Sequence, residues 1–186
     1  MATNNSVKFI DLGLPSGTLW ADRNIGADTP ERAGDYFRFG ETVPFTEDSP
    51  EYFYDDIEEN IAGTTKDAAT VILGKGYEMP TLEQIKELIL LCSWEWTELN
   101  EVKGFKVTGP NGNSIFFPAA GYRSYHNGKL NNNRGYGYYW SASTNSKSYY
   151  GSHYIFFTPR YAYWTNEYSG YGFTVRPTKN NLQHHI

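Results

Sequence analysis

Apolar spacing along the chain switches from a helical period to a strand period near residue 104. Before it, Ile85, Leu88, Ile89 and Cys92 fall at i, i+3, i+4 and i+7, one apolar face of a helix. Thr81 stands as its N-cap, and Gln84 at the third helical position can reach back to complete a capping box. Leu90 and Leu91 widen the apolar face, so this helix is expected to pack broadly against a sheet. Thr65 to Leu73 predicts a shorter helix, begun by Thr65 or Asp67 and stopped by Gly74-Lys75-Gly76. Thr29-Pro30-Glu31 predicts a third, which Gly34 ends.

Strand patterns bracket these helices. Val7 to Leu12 and Thr18 to Ala21 flank the turn residues Gly13 to Gly17 and predict a hairpin anchored by Trp20. Asp35 to Gly40 reads as a strand or extended crossing, and Glu41 to Asn60 as an acidic surface loop pinned by aromatics. Ser93 to Thr97 leaves the main helix with Trp94 and Trp96 available for core or interface. Phe105 to Thr108 and Ser114 to Pro118 alternate on either side of Asn111-Gly112. Tyr138 to Ala142, Ser152 to Phe157, Tyr161 to Thr165 and Gly172 to Arg176 complete the set. The resulting fold class is α+β, with helices in the first half and antiparallel strands in the second. One domain is expected over residues 1–178, with a scaffold at 7–122 and a binding region at 131–171; residues 179–186 form a tail expected to fray.

Composition changes the picture in the last third. Of the 16 tyrosines, 12 lie between Tyr122 and Tyr171, among Asn131 to Asn133, Asn145, Ser146 and Ser148. Each buried hydroxyl or amide needs a partner, so such a mixture suits a recognition surface. Tyrosine supplies stiff amphipathic contact area, and Ser, Gly and Asn supply adaptable hydrogen bonds. A half-exposed Tyr-rich sheet without a partner would show the same composition.

Charge and chemistry narrow the function classes. Before Val102, 20 acidic residues stand against 7 basic, a net of −13; after it 1 stands against 9, a net of +8. The basic residues Arg123, Lys129, Arg134, Lys147 and Arg160 are scattered rather than striped, which argues against nucleic acid. The net charge of −5 disfavours anionic membranes, no run is long enough to insert in one, and no secretory signal stands at the N-terminus. Cys92 is the single cysteine, so neither an internal disulfide nor a cysteine-rich zinc site can form. His126, His153, His184 and His185 show no metal-ligand spacing. Calcium-dependent sugar binding at Trp164-Thr165-Asn166-Glu167 lacks carboxylates, since Glu167 is the only acid there. No nucleophile elbow, Walker loop or dinucleotide fingerprint occurs, so no catalytic residue, metal or cofactor is expected and the chain reads as a non-enzyme.

These residues also carry a resemblance. Phe9-Ile10-Asp11-Leu12-Gly13-Leu14-Pro15-Ser16-Gly17-Thr18-Leu19-Trp20-Ala21 resembles the opening of the Fibrobacter succinogenes major paralogous domain, abundant in Bacteroidetes surface proteins. Gly34-Asp35-Tyr36-Phe37, Phe39-Gly40-Glu41-Thr42, Asp67-Ala68-Ala69 and Met79-Pro80-Thr81 are similar to it as well. So are Pro118-Ala119-Ala120-Gly121-Tyr122-Arg123, Tyr139-Trp140-Ser141-Ala142-Ser143 and Gly172-Phe173-Thr174-Val175-Arg176-Pro177. The resemblance runs from Phe9 to Pro177 and departs at Ser169, where relatives often carry arginine. It implies a C-type-lectin-like fold of the formylglycine-generating-enzyme subtype. That enzyme's paired cysteines have no counterpart here, so catalysis is not implied. It also implies kinship with the variable proteins of diversity-generating retroelements, in phages and bacteria. Mutation at template adenines there turns Asn codons into Tyr, Ser, His, Asp or Thr.

On that resemblance, the expected function is ligand binding by a hypervariable surface. The expected face comprises Asn131, Asn133, Tyr136, Tyr138, Thr144, Asn145, Ser146, Ser148, Tyr149, Tyr150, His153, Tyr154, Arg160, Tyr161, Tyr163, Trp164, Thr165, Asn166 and Tyr168. His153 shares strand parity with Ile155 and Phe157, which are expected to point inward. The expected partner is a protein or glycan on a cell surface, and the expected location is a cell surface or virion. The alternative is a non-variable adhesin or glycan-binding module of the same fold.

Overall fold

The computed structural model describes residues 6–53, 58–132, 134–144 and 151–181. Most of its regular structure is β. The first strands are β1 (Phe9–Asp11), β2 (Thr18–Ala21), β3 (Tyr36–Phe37) and β4 (Tyr77–Glu78), interleaved with α1 (Ala68–Leu73) and followed by α2 (Leu82–Leu91). Next come β5 (Ser93–Leu99), β6 (Val102–Thr108), β7 (Ser114–Pro118), β8 (Tyr122–Arg123) and β9 (Leu130–Asn131). The last are β10 (Gly137–Thr144), β11 (Ser152–Thr158), β12 (Tyr161–Glu167), β13 (Phe173–Thr174) and β14 (Thr178–Asn180). Among the described residues they form sheets in the orders β1-β2-β14-β4, β12-β11-β10-β13-β3, β5-β6-β7 and β8-β9.

The strand β10 sits at the centre of the five-stranded sheet, and its sequence explains why. Successive strand side chains leave opposite faces. Tyr139 enters one core with Leu12, Trp20, Ile85, Leu88, Phe117, Ile155 and Phe157. Trp140 enters the other with Phe37, Phe39, Ile61, Met79, Phe173 and Val175. Each such side chain contributes about 1.5–3 kcal/mol by leaving water. The polar handles are satisfied too: Trp140 Nε1 donates to the Phe37 carbonyl at 2.7 Å, and the Tyr139 hydroxyl to that of Pro118 at 2.5 Å. Gly137 is required where it stands, because a Cβ there would run into the Phe157 ring.

Both described helices start as their caps dictate. The Thr81 hydroxyl accepts from Gln84 N at 3.3 Å, and Gln84 Oε1 accepts from Thr81 N at 2.9 Å, closing the capping box. Asp67 caps α1 by accepting from Ala69 N and Thr70 N, and its carboxylate also takes Met79 N, which ties the helix to the start of α2.

Several expectations are corrected. The chain does not divide into a helical first half and a stranded second: β1 to β4 lie in the first half, and among the described residues helix is confined to residues 68–73 and 82–91. Thr29 to Ala33 forms a turn rather than a helix, since Gly34 at φ 70 reverses the chain before one helical turn can propagate. Ile85 and Leu88 are fully buried, but Leu90 is 67% and Leu91 48% exposed. Leu90 lies across the helix from the buried stripe, and Leu91 is its last residue. Ser93 to Leu99 is a full strand, β5, paired with β6 through Asn100-Glu101, both at positive φ. The tail does not begin at residue 179, because Lys179 pairs with Leu19 on one side and Tyr77 on the other, inside the first sheet.

Candidate functional site

The face that could meet a ligand is built by register. Tyr138 lies opposite Phe156, which lies opposite Tyr163; Trp140 lies opposite Tyr154, which lies opposite Thr165. These positions all leave the same side of the sheet. Trp140 is sealed in the core on that side, whereas Tyr138, Tyr154, Phe156 and Tyr163 continue beyond it and line a cleft with Tyr122, Tyr171, Phe173 and Glu167. The cleft holds about 200 Å³.

Ring contacts make the walls stiff. Tyr138 stacks on Tyr154 at 6.0 Å and meets Tyr122 at 5.0 Å, Phe156 at 5.1 Å and Phe173 at 5.1 Å. Phe156 meets Tyr163 at 5.3 Å and Tyr136 at 5.6 Å. Tyr171 stacks on Phe173 at 5.8 Å and reaches Tyr125 at 4.9 Å, which reaches Tyr168 at 5.0 Å. Such pairs add about 0.5–1.5 kcal/mol each beyond burial. They also fix the rings before any ligand arrives. A second recess beside the cleft is polar, lined by Asn131, Asn132, Arg134 and Tyr136 together with Tyr138.

The electrostatics are those of neutral phenols around one carboxylate. Burial, with smaller contributions from Tyr122 and Tyr136, pushes the Tyr138 hydroxyl up to about 12, partly offset by Arg134. Burial first, then the Glu167 charge, raises Tyr154 and Tyr171. Glu167 is half-buried at the end of β12, and its Oε1 accepts from Tyr168 N at 2.8 Å. Among the described residues no ion pair involves it. Nor does any group of three or more His, Cys, Asp or Glu there stand where it could hold a metal.

The expected residues divide by strand parity. Tyr136, Tyr138, Tyr154 and Tyr163 come together on the aromatic face, with Tyr161 beside Tyr163, Thr165 half-buried on the same side and Tyr168 joined through Tyr125. Asn131 stands exposed at the rim of the polar recess, and Arg160 is exposed in the turn before β12. Tyr154, at 6% exposure, is a floor and not a surface. His153, Trp164 and Asn166 have the opposite parity and leave the other side of the sheet. Trp164 packs there against the second core, with Lys86 Nζ 6.0 Å from its ring, and His153 is buried as its parity with Ile155 and Phe157 requires. Thr144 is buried where β10 ends. These four therefore do not join the face. Asn133, Asn145, Ser146, Ser148, Tyr149 and Tyr150 lie outside the described residues.

The sequence reading missed Tyr122, Tyr125, Phe156, Glu167, Tyr171 and Phe173 as site residues. The tyrosine clustering pointed at three of them. Phe156, Glu167 and Phe173 join only because three strands and a returning loop meet.

Residues 93–178 match the model of a domain of unknown function, DUF8237. That match is 86 of the 186 residues and runs from the start of β5 into β14, so it contains the whole aromatic face. No curated protein and no solved structure matches the chain.

Proposed function

We propose that this chain is a ligand-binding protein, not an enzyme, that presents its Tyr-rich face to a protein or glycan on a cell surface. The fold we assign is the C-type-lectin-like fold of the formylglycine-generating-enzyme subtype, and the location a cell surface or virion. The observation that carries the reading is the register: three neighbouring strands put Tyr138, Tyr154 and Tyr163 on one side around a cleft. The opposite side of the same strands is filled by Tyr139, Ile155, Phe157 and Trp164 against a packed core. A platform of that kind holds its contact groups at little entropic cost on binding, and a few aromatic anchors then carry most of the affinity.

Diversification by a retroelement is the first form of this proposal. It expects codon changes concentrated at the exposed positions of the face, Asn131, Tyr161 and Tyr163. A fixed adhesin or glycan-binding module is the second form, favoured by one observation. Tyr138 and Tyr154 are locked into ring contacts with Phe173, at 5.1 and 4.7 Å, so their replacement disturbs the core. Sequencing the gene and its flanking DNA across isolates separates the two. Adenine-templated changes at the exposed positions, with a near-duplicate template and a reverse transcriptase nearby, are expected from the first form. An unchanged face with no such neighbours rules it out and leaves the second. The binding reading in either form is abandoned if Tyr161 and Tyr163 can be replaced together without loss of attachment to cell surfaces that bind the native chain.

A further inference from the structure

We propose that the aromatic cleft takes the head of an organic cation, an alkylammonium or guanidinium group, between its rings and the Glu167 carboxylate. The inference deepens the binding reading above and rests on it. Three observations carry it. The walls are aromatic and mutually braced, with Tyr138, Tyr154, Tyr163 and Tyr171 among them. Aromatic rings attract cations through their negative faces, more strongly once water is excluded. Among the described residues the one charged side chain lining the cleft is Glu167, which is also the only acidic residue after Val102 in the sequence. In a stretch that otherwise carries nine basic residues, that single carboxylate stands where the tyrosines converge. Its charge reaches the cleft, since it adds to the rise in the Tyr154 and Tyr171 hydroxyls behind the larger effect of burial.

Size gives the third observation. At about 200 Å³ the cleft falls short of the roughly 300–1,000 Å³ that encloses a drug-sized ligand, yet exceeds the roughly 30 Å³ share of one water. It suits a head group or a side-chain terminus. Arg134 lines the neighbouring recess and opposes the rise at Tyr138 only as the fourth contribution. An anionic ligand would have to approach Glu167, and a neutral sugar would find one carboxylate and phenol hydroxyls but no side-chain amide among the described residues that line the cleft.

The test uses the full chain, choline chloride and its uncharged isostere 3,3-dimethylbutan-1-ol, at constant ionic strength, followed by ligand-observed NMR. Choline is expected to bind in the millimolar range and the alcohol about tenfold or more weaker. Glu167→Gln keeps an acceptor for the Tyr168 amide and is expected to weaken choline about tenfold while leaving the alcohol unchanged. Tyr163→Leu, at a 40% exposed position, should weaken choline without altering the melting temperature by more than a few degrees. A parallel titration with N-acetyl-lysine methylamide and N-acetyl-arginine methylamide assigns the source: preference for these indicates a protein side chain, preference for choline a lipid or glycan head group. Equal affinity for choline and the alcohol, or no binding of any cation, overturns the proposal. That failure leaves the broader face untouched, because attachment of the Tyr161 and Tyr163 double variant to cell surfaces is read separately.

Discussion

Arg176 donates from Nε to the Asn24 Oδ1 at 2.8 Å, a bond made wholly inside the protein between residues 152 positions apart. The same guanidinium donates to the carbonyls of Phe116 at 2.7 Å and Ala21 at 3.3 Å and lies over the Phe117 ring at 4.2 Å. Asn24 in turn donates to the Ala33 carbonyl and, at 3.4 Å, to the Tyr139 hydroxyl. A planar donor fork thus joins the segment after β2, the end of β7 and the chain just before β14. Burial lowers the Arg176 pKa to about 10, and the group remains charged at neutral pH.

Replacing Arg176 removes the joint. Arg176→Leu is expected to cost about 3 kcal/mol or more, because Asn24 and the Phe116 carbonyl are left buried without their donor. Arg176→Lys should recover only part of that, since an ammonium cannot reproduce the fork. Urea denaturation of both variants checks the order.

Alkali should destabilise the protein as its buried tyrosines ionise. Burial pushes the Tyr139 hydroxyl from 10.0 up to about 12, and burial also raises Tyr36, whose hydroxyl donates to the Ala120 carbonyl at 2.5 Å. A raised folded pKa means the stabilisation is complete below pH 10 and is lost as pH climbs through 12. Tyr139 alone accounts for of order 2 kcal/mol of that loss. Near-ultraviolet dichroism should be lost between those pH values, as the phenolate absorbance contributed by the buried tyrosines appears.

Acid acts through His153 in the opposite sense. Burial holds its pKa below the ordinary 6.5, with Lys86 adding and the Thr165 backbone opposing. The unfolded chain therefore binds the proton first, so stability is intact above pH 6.5 and falls as pH drops below it. His153→Gln should flatten the fall in stability below pH 6.5, measured by thermal melts.

The capping box predicts a local effect. Thr81→Ala removes the hydroxyl that accepts from Gln84 N and is expected to cost about 1 kcal/mol. Hydrogen exchange should show the loss concentrated in the first turn of α2.

Parity on β12 gives the sharpest contrast. Tyr161 is 53% exposed, and Tyr161→Ala should shift stability by less than about 1 kcal/mol. Trp164, on the other side, packs against the second core, and Trp164→Ala should cost about 3 kcal/mol. Equal costs from the two would contradict the register.

Local signals in the sequence were enough for α2, its Thr81 cap, the β1–β2 hairpin and the central strands, because each depends on spacing within a few residues. The β5 strand was hidden because it follows α2 with no turn residue between, and its hairpin uses Asn100-Glu101 where an Asn-Gly pair would have marked it. Thr178 to Asn180 looked like a frayed end because nothing local holds it; its partners, Leu19 and Tyr77, are more than 100 residues away. The tyrosine clustering located the face without resolving its sides. Which residues share a side follows from strand register, and register is settled by filling two cores at once: Tyr139 and Trp140 must go opposite ways, and every neighbour on β11 and β12 is then assigned. The amino acids alone thus specified an α+β chain rich in contact groups, whereas the meeting of Tyr138, Tyr163, Tyr171 and Glu167 in one cleft came from long-range packing that no local pattern encodes.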